Sequence, residues 1–347
     1  MSAEKLVVVL LATVLPLSAC GSDGDSSPTI GTALRSDFTG EPGPNSFDDG
    51  TSWIAYQTSR DGPEAVWLIH PDGTEDHRLD TGVKAPAFIP TWSPDGMTLI
   101  FESHSGDREP LYQYDFATES SRQLFDCESP CLSDGEAAYS PDGSRVVFVR
   151  ALTPMVYSKV AGEQVPSDCG LWIGDIATGR VEQLTSNTDP PCQRESSPRW
   201  SPDASKIAYY RERRDESGVT NAIFVIDSTG GSERQLTDWE LVAGYPDWSP
   251  DGEWIVFASY PLWSFNFDAV VSNLYRMRPD GSGIEQLTFY DTPATRANQP
   301  RYTPDGQWIT FTAVTESGRS LWAIPAEGGD PVVIVSGGIY THATWQP

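Results

Sequence analysis

Lysine is almost missing from this 347-residue chain. Lys5, Lys84, Lys159 and Lys206 are all it has, and 23 Lys+Arg face 49 Asp+Glu for a formal net charge of −26. A body this acidic repels phosphate backbones and anionic lipid surfaces, which removes nucleic acid from the expected partners. Histidine is as scarce, with only His70, His77, His104 and His342. No GxSxG elbow, HExxH pair, glycine-rich phosphate loop or EF-hand loop occurs in the chain, so the chemistries those motifs carry have no sequence support. There is no long apolar run either: LVVVLLATVLPL at 6–17 is too short to span a bilayer as a stable helix.

That stretch follows Lys5 and leads into Leu17-Ser18-Ala19-Cys20, an export-signal pattern with small residues at the cleavage point. The four residues resemble the lipobox of bacterial lipoproteins. The resemblance implies that 1–19 is removed and that Cys20 becomes a lipidated first residue; an ordinary secretory peptide is the alternative. Residues 21–45 are small, polar and rich in Pro and Gly, the composition of a flexible tether. The expected organisation is a signal at 1–19, a tether at 20–46 and a folded body at 47–347. Cys127, Cys131, Cys169 and Cys192 remain, an even number that in an exported chain points to disulfides. Of the three pairings, Cys127–Cys131 within one loop and Cys169–Cys192 between two loops is favoured. A zinc site lacks both a Cys-x-x-Cys pair and a nearby histidine.

What is present in abundance is a repeat. TWSPDG at 91–96, AYSPDG at 138–143, RWSPDA at 199–204, DWSPDG at 247–252 and RYTPDG at 301–306 are each followed at once by an alternating apolar run. Ser or Thr, then Pro, Asp and Gly are the residues a type I turn prefers in succession, with glycine taking the left-handed φ that closes a hairpin. Ala204 stands where the fourth blade's turn wants glycine, so strain is expected there. The prolines of the phrase lie 47, 61, 48 and 54 residues apart, a period that with strand-like segments marks a β-propeller. Upstream, 47–79 supplies a turn and three strands without an inner one, and YTHATWQP at 340–347 supplies an inner strand without its turn. Joining the termini completes blade 1. The fold expected is all-β: a six-bladed propeller of four-stranded antiparallel blades, closed by the C-terminal strand.

The WSPDG phrase, its apolar strand, an LY/LW strand and a QLT strand resemble the repeats of TolB-type propellers, and also those of prolyl oligopeptidase propellers and some polysaccharide lyases. The resemblance covers about 47–347 and implies the fold. For function it implies a cell-envelope role. Residues 21–45 are too short for an N-terminal α/β domain of the TolB kind.

Propeller topology puts the tight SPDG and C–D turns on one face and the B–C and D–A connections on the other. The long connections, at 150–170, 186–198, 237–246, 258–272 and 289–300, make that second face the expected site of function. It carries the candidate partner- or ligand-binding residues Trp239, Trp263, Phe265, Phe267, Tyr290 and His342; a satellite core formed by the same aromatics is the alternative. His70 and His77 bracket a turn on the tight face and are expected to be solvated. Arg199, Asp247 and Arg301 hold one repeat position in consecutive blades, and inter-blade ion pairing that satisfies both arginines is the expectation, with ligand binding as the alternative. The functional expectation is a non-catalytic, monomeric envelope lipoprotein that recognises a protein or glycan. A polysaccharide lyase or hydrolase is the rival. No catalytic residue or cofactor is assigned, and a divalent cation is left open. Replacing Cys20 by Ser should move the protein from the membrane to the soluble fraction without changing its thermal melt; equal membrane association of Cys20→Ser, read by fractionation, contradicts the anchor.

Overall fold

The computed structural model describes residues 52–104, 108–158, 163–185, 194–215, 218–260, 271–292, 295–338 and 341–347. The chain divides into two units, Met1–Glu41 and Pro42–Pro347, and every described residue lies in the second.

Each repeat folds into one sheet of four antiparallel strands, here A to D from the inside out, and six such sheets form the propeller. The A strands are Ala87–Trp92, Cys131–Tyr139, Glu195–Trp200, Ala243–Trp248 and Thr295–Tyr302 for blades 2 to 6. Blade 1 takes its A strand, Thr341–Trp345, from the C-terminus. Trp345 pairs with Ile54 and Thr344 with Ala55, and the Gln346 amide donates to Trp53 O at 2.8 Å. Each A strand contacts the next, and the C-terminal strand contacts those of blades 6 and 2, so the ring closes.

The repeated phrase works as a latch. Ser93 Oγ donates to Asp95 Oδ1 at 2.6 Å while accepting the Thr98 amide at 2.9 Å. Ser140, Ser201, Ser249 and Thr303 repeat both bonds. These bonds hold Asp95, Asp142, Asp203 and Asp251 below the usual carboxylate range, with Asp142 at about 2. Ala204 adopts φ 59°, the left-handed conformation its glycine counterparts take without a Cβ penalty. The aromatic before each turn is buried between blades: Trp92, Tyr139, Trp200, Trp248, Tyr302 and Trp345 fall in six separate apolar clusters. Gly174 marks how close adjacent blades come, because a Cβ there would sit 2.2 Å from the Phe125 ring.

Two sequence expectations need correction. The stretch 150–170 is not an irregular loop, since Arg145–Ser158 and Glu163–Asp175 form one long hairpin. A register shift sets Thr153 and Pro154 opposite the single Ser167, so that Pro154 falls in the bulge while Pro166 pairs with Met155. Cys131 and Cys169 accordingly lie in strands rather than in unstructured connections. His70 is not solvated: its ring stacks on Trp53 at 3.8 Å with Nδ1 2.8 Å from Ser52 O, because the antiparallel register that pairs Ile54 with Ile69 sets Trp53 opposite His70. His77 is exposed.

Deleting 341–347 removes the buried Ala343 and Trp345 and leaves the inner edge of the Ile54–Thr58 strand unpaired. At about 1.5–3 kcal/mol per large side chain, with new apolar surface on blades 6 and 2, the truncated chain should lose its cooperative melt or aggregate. An unchanged calorimetric transition would contradict closure by this strand.

Candidate functional site

Every A strand carries a β-bulge at one repeat position, three residues before its aromatic. The bulged residues are Ile89, Glu136, Ser197, Tyr245, Gln299 and His342, all left-handed with φ between 47° and 57°. Such a conformation is uncommon for a residue with a Cβ, and its repetition around the ring marks a device rather than an accident. Four of the freed amides are accepted by a side chain from the preceding blade. Ile89 N donates to Gln57 Oε1 at 3.1 Å, Glu136 N to Glu102 Oε1 at 2.5 Å, Ser197 N to Glu136 Oε2 at 2.6 Å and His342 N to Gln299 Oε1 at 3.1 Å.

This stitching draws ionisable groups to the axis. Glu102 sits under Glu136, and burial, reinforced by the negative charge of Glu136 and Glu109, pushes its carboxyl up to about 8. Glu136 accepts from both the Ser197 amide and hydroxyl and pairs at 3.4 Å with Arg194, whose side chain is exposed on the long-loop face. Gln299 Oε1 accepts from His342 N and Thr312 Oγ1, so the Gln299 amide nitrogen is the donor 2.9 Å from His342 Nε2. The imidazole proton therefore lies on Nδ1, which is buried without a partner. Burial, with the fields of Arg301, Arg199 and Arg319, pulls His342 down to about 3, so it is neutral at physiological pH.

One step nearer the tight face, Asp247 sits between two arginines, with Arg199 Nε 3.8 Å from its Oδ1. Asp247 Oδ2 accepts the Tyr302 amide at 2.9 Å. Arg199 and Arg301 each donate Nη1 to the carbonyl of their own preceding proline, at 2.7 and 2.8 Å. No other protein acceptor takes their remaining donors among the described residues. The expected inter-blade ion pairing is present between Arg199 and Asp247, while the side-chain hydrogen bonds of both arginines go to the proline carbonyls and not to Asp247. Burial, together with Arg301, pulls Arg199 down to about 9, and burial lowers Arg301 and raises Asp247. Arg199 acts on His342 and Glu136 on Arg301, and each of these pairs spans opposite blades, which places all four groups around one axis.

Of the residues singled out from sequence, His342 is part of this ring. Trp239 is half-buried, 5.8 Å from the Phe224 ring and under the Arg213 guanidinium at 4.6 Å. Tyr290 is half-buried against the core between blades 5 and 6, while its neighbour Phe289 is 75% exposed. Trp263, Phe265, Phe267, Cys20 and Cys192 lie outside the described residues. Cys127 and Cys131 form a disulfide, and Cys169 is also disulfide-bonded. The sulfurs of Cys127 and Cys131 approach Asp134, but the disulfide consumes both thiols and Arg150 clamps both oxygens of Asp134 at 2.6 and 2.7 Å. That cluster is a structural brace and has no free ligand set for a cation. Sequence reading missed Glu102, Glu136, Ser197 and Gln299; the last three share a position three residues before each aromatic, but no common residue type marks it.

Fold and axis together define a six-bladed, TolB-like propeller with a polar axial cluster. The family model for the TolB beta propeller domain, PD40, matches residues 163–347, and the chain belongs to that family. It is 29% identical over 228 residues to an uncharacterized protein of Agrobacterium fabrum, covering 65% of this chain and 64% of that protein. It is 26% identical over 209 residues to an uncharacterized peptidase of Bacillus subtilis, YuxL, covering 52% of this chain and 30% of the peptidase. The chain thus spans less than two thirds of either relative. Among solved structures, TolB from Acinetobacter baumannii superimposes with a TM-score of 0.65 at 18% identity, covering 86% of this chain and 68% of that one. An oligogalacturonate lyase in complex with manganese does so with 0.58 at 18%, covering 81% and 73%. At these identities the likeness shows the fold alone.

Glu102 gives the site a pH signature. Its folded pKa of about 8 lies above the ordinary 4.5, so the neutral carboxyl is the form the fold prefers. The native state keeps a proton the unfolded chain has lost, and stability falls as pH rises from about 4.5 toward 8. Glu102→Gln keeps an acceptor for the Glu136 amide and cannot ionise. Melting temperatures across pH 5–9 should show the variant gaining on the native chain as pH rises, overtaking it near the upper end; parallel pH profiles contradict the assignment.

Proposed function

We propose that this chain is an exported binding propeller, anchored through Cys20, that captures an envelope protein or a glycan at the axial mouth on its long-loop face. The observation that carries the reading is the convergence of polar and charged side chains from all six blades, Glu102, Glu136, Arg199, Asp247, Arg301 and His342, at one axis, several with displaced protonation. Sites that bind or react are where burial and neighbouring charge displace protonation. The export signal, the acidic body and membership of the TolB propeller family support the envelope location. The long-loop face adds Arg194 and Phe289 at the surface. The tight face, by contrast, is made of short latched turns.

A polysaccharide lyase or hydrolase acting through the same mouth is the second reading. It is favoured by Glu102 and Glu136, adjacent carboxyls of which one is held protonated, the division of labour that acid–base chemistry uses. The fold shared with an oligogalacturonate lyase is compatible with it.

Replacing Arg194 and Phe289 by Ala should weaken capture of the envelope partner or glycan by about 1–2 kcal/mol per side chain without changing the melt. The control is Arg180→Ala, whose exposed guanidinium pairs with Glu182 on the tight face. Binding is read on a glycan array and by mass spectrometry of material retained from envelope extracts. Loss of binding in the control but not in the double variant assigns function to the other face. New chain ends in a polyuronate sample, made by the native chain and not by Glu136→Gln, would favour the enzyme.

A further inference from the structure

Blade 1 lacks a plug that its neighbours carry. In blades 3, 4 and 5 strand D runs into Gln-Leu-Thr. The buried Thr185, Thr237 and Thr288 each accept a strand C amide through Oγ1, from Leu171, Ile223 and Leu274 at 2.8, 2.9 and 2.9 Å. Blade 2 fills the same place with the buried Phe125. Blade 1 has Arg78-Leu79-Asp80 instead. Asp80 is exposed and turns Oδ1 to the Gly82 amide at 3.0 Å. Val66 holds the position of Leu171, since its carbonyl accepts the Leu79 amide at 3.0 Å just as the Leu171 carbonyl accepts the Leu184 amide. The N–H and C=O of one strand residue point to the same side. The Val66 N–H therefore faces the place that threonine fills elsewhere, and neither Leu79 nor Asp80 accepts it.

A cavity of about 350 Å³ opens at this point, between the outer strands of blade 1 and the connection into blade 2, a volume within the range of small-molecule sites. Its charged lining is Glu64, Arg78 and Asp80. Lys84, on the same connection, is exposed and does not line it. Arg78 makes no hydrogen bond or ion pair among the described residues. Glu64 commits Oε2 to Gln57 Nε2 at 2.9 Å, which leaves Oε1 open, and Asp80 keeps Oδ2 open. The Glu64 wall is fixed in place: its carbonyl accepts the Ala87 amide at 3.1 Å, and Gln57 is held at its other end by the Ile89 amide. Ala65, Ala85 and Ala87 complete the walls with methyl groups alone.

We propose that this cavity is a second binding site, apart from the axis, for a small free amino acid whose carboxylate is taken by the Val66 N–H and Arg78 and whose ammonium is taken by Glu64 and Asp80. An anion alone would meet two carboxylates against one guanidinium. A cation alone would leave the Val66 N–H and Arg78 without an acceptor. A zwitterion answers both sets of groups with charge-assisted hydrogen bonds, and the alanine walls suit a short side chain.

The test uses the full chain in calorimetric titrations with alanine, alanine methyl ester and N-acetylalanine. Alanine should bind at least about tenfold more tightly than either derivative, because each forfeits one of the two charged ends. Arg78→Gln should weaken alanine binding about tenfold. Asp80→Thr restores the residue found in blades 3 to 5, so it should accept the Val66 amide, raise the melting temperature and abolish alanine binding. Loss of binding in a variant that melts higher has no explanation in unfolding. The comparison of the three ligands on the native chain needs no variant at all. Ester binding equal to that of alanine overturns the carboxylate contacts, and equal binding of N-acetylalanine overturns the ammonium contacts. Absence of alanine binding, or binding that Asp80→Thr leaves unchanged, overturns the site. None of these outcomes bears on the axial mouth.

Discussion

Closure of the ring is the constraint on which the rest of the molecule depends. Six sheets leave no free inner edge only if the first receives a strand from the last residues of the chain, and Thr341–Trp345 provides it. Trp345 then reaches Thr310 in blade 6 through its indole nitrogen at 3.1 Å, and Gln346 reaches Gly96 in blade 2 at 2.9 Å. One short strand thus ties three blades. Closure also fixes the distance across the axis. That is why groups distant in sequence, such as Arg199 and His342, come under each other's field.

The bulges link this frame to its chemistry. A left-handed residue with a Cβ costs of order 1–3 kcal/mol and persists only where its surroundings hold it. Here the hold is a side chain from the preceding blade: Gln57 on Ile89, Glu102 on Glu136, Glu136 on Ser197, Gln299 on His342. The acceptors that stabilise the bulge are polar by necessity, and closure brings them to the axis. The site is therefore partly a by-product of the way the inner strands bend. Glu136 does both jobs, accepting one neighbour's amide and carrying charge toward the mouth.

The turns, the strand order, the blade count and the shared first blade were legible because they are written in local residues: Ser, Pro, Asp and Gly at fixed spacing, then alternation. The hairpin at 145–175 is hard to see in a stretch that holds Pro154 and Pro166, because only pairing shows that a bulge takes up Pro154 and that Pro166 stands opposite Met155. The bulge ring was illegible for a different reason. Its six members are Ile, Glu, Ser, Tyr, Gln and His, with no residue type in common, since what they share is a backbone conformation held from outside the strand. Arg199, Asp247 and Arg301 were visible as a series, but whether the arginines were satisfied depended on Oδ2 of Asp247 turning to the Tyr302 amide. No spacing rule contains that choice.

The variability of the ring also explains how one propeller can serve different ends. The latch residues and inter-blade aromatics are fixed by folding, since each is buried or hydrogen-bonded within its repeat. The bulged position asks only for a left-handed residue and an acceptor behind it, and leaves the side chain free. Function in this fold can then change by exchanging axial residues while the blades stay as they are. In this chain the exchange has set Arg199 and Arg301 against Asp247 and Glu136, so that both signs of charge meet at the axis of an acidic body. Salt screens exposed charges far more than buried ones, so the field of the acidic surface fades with ionic strength while the axial groups keep theirs.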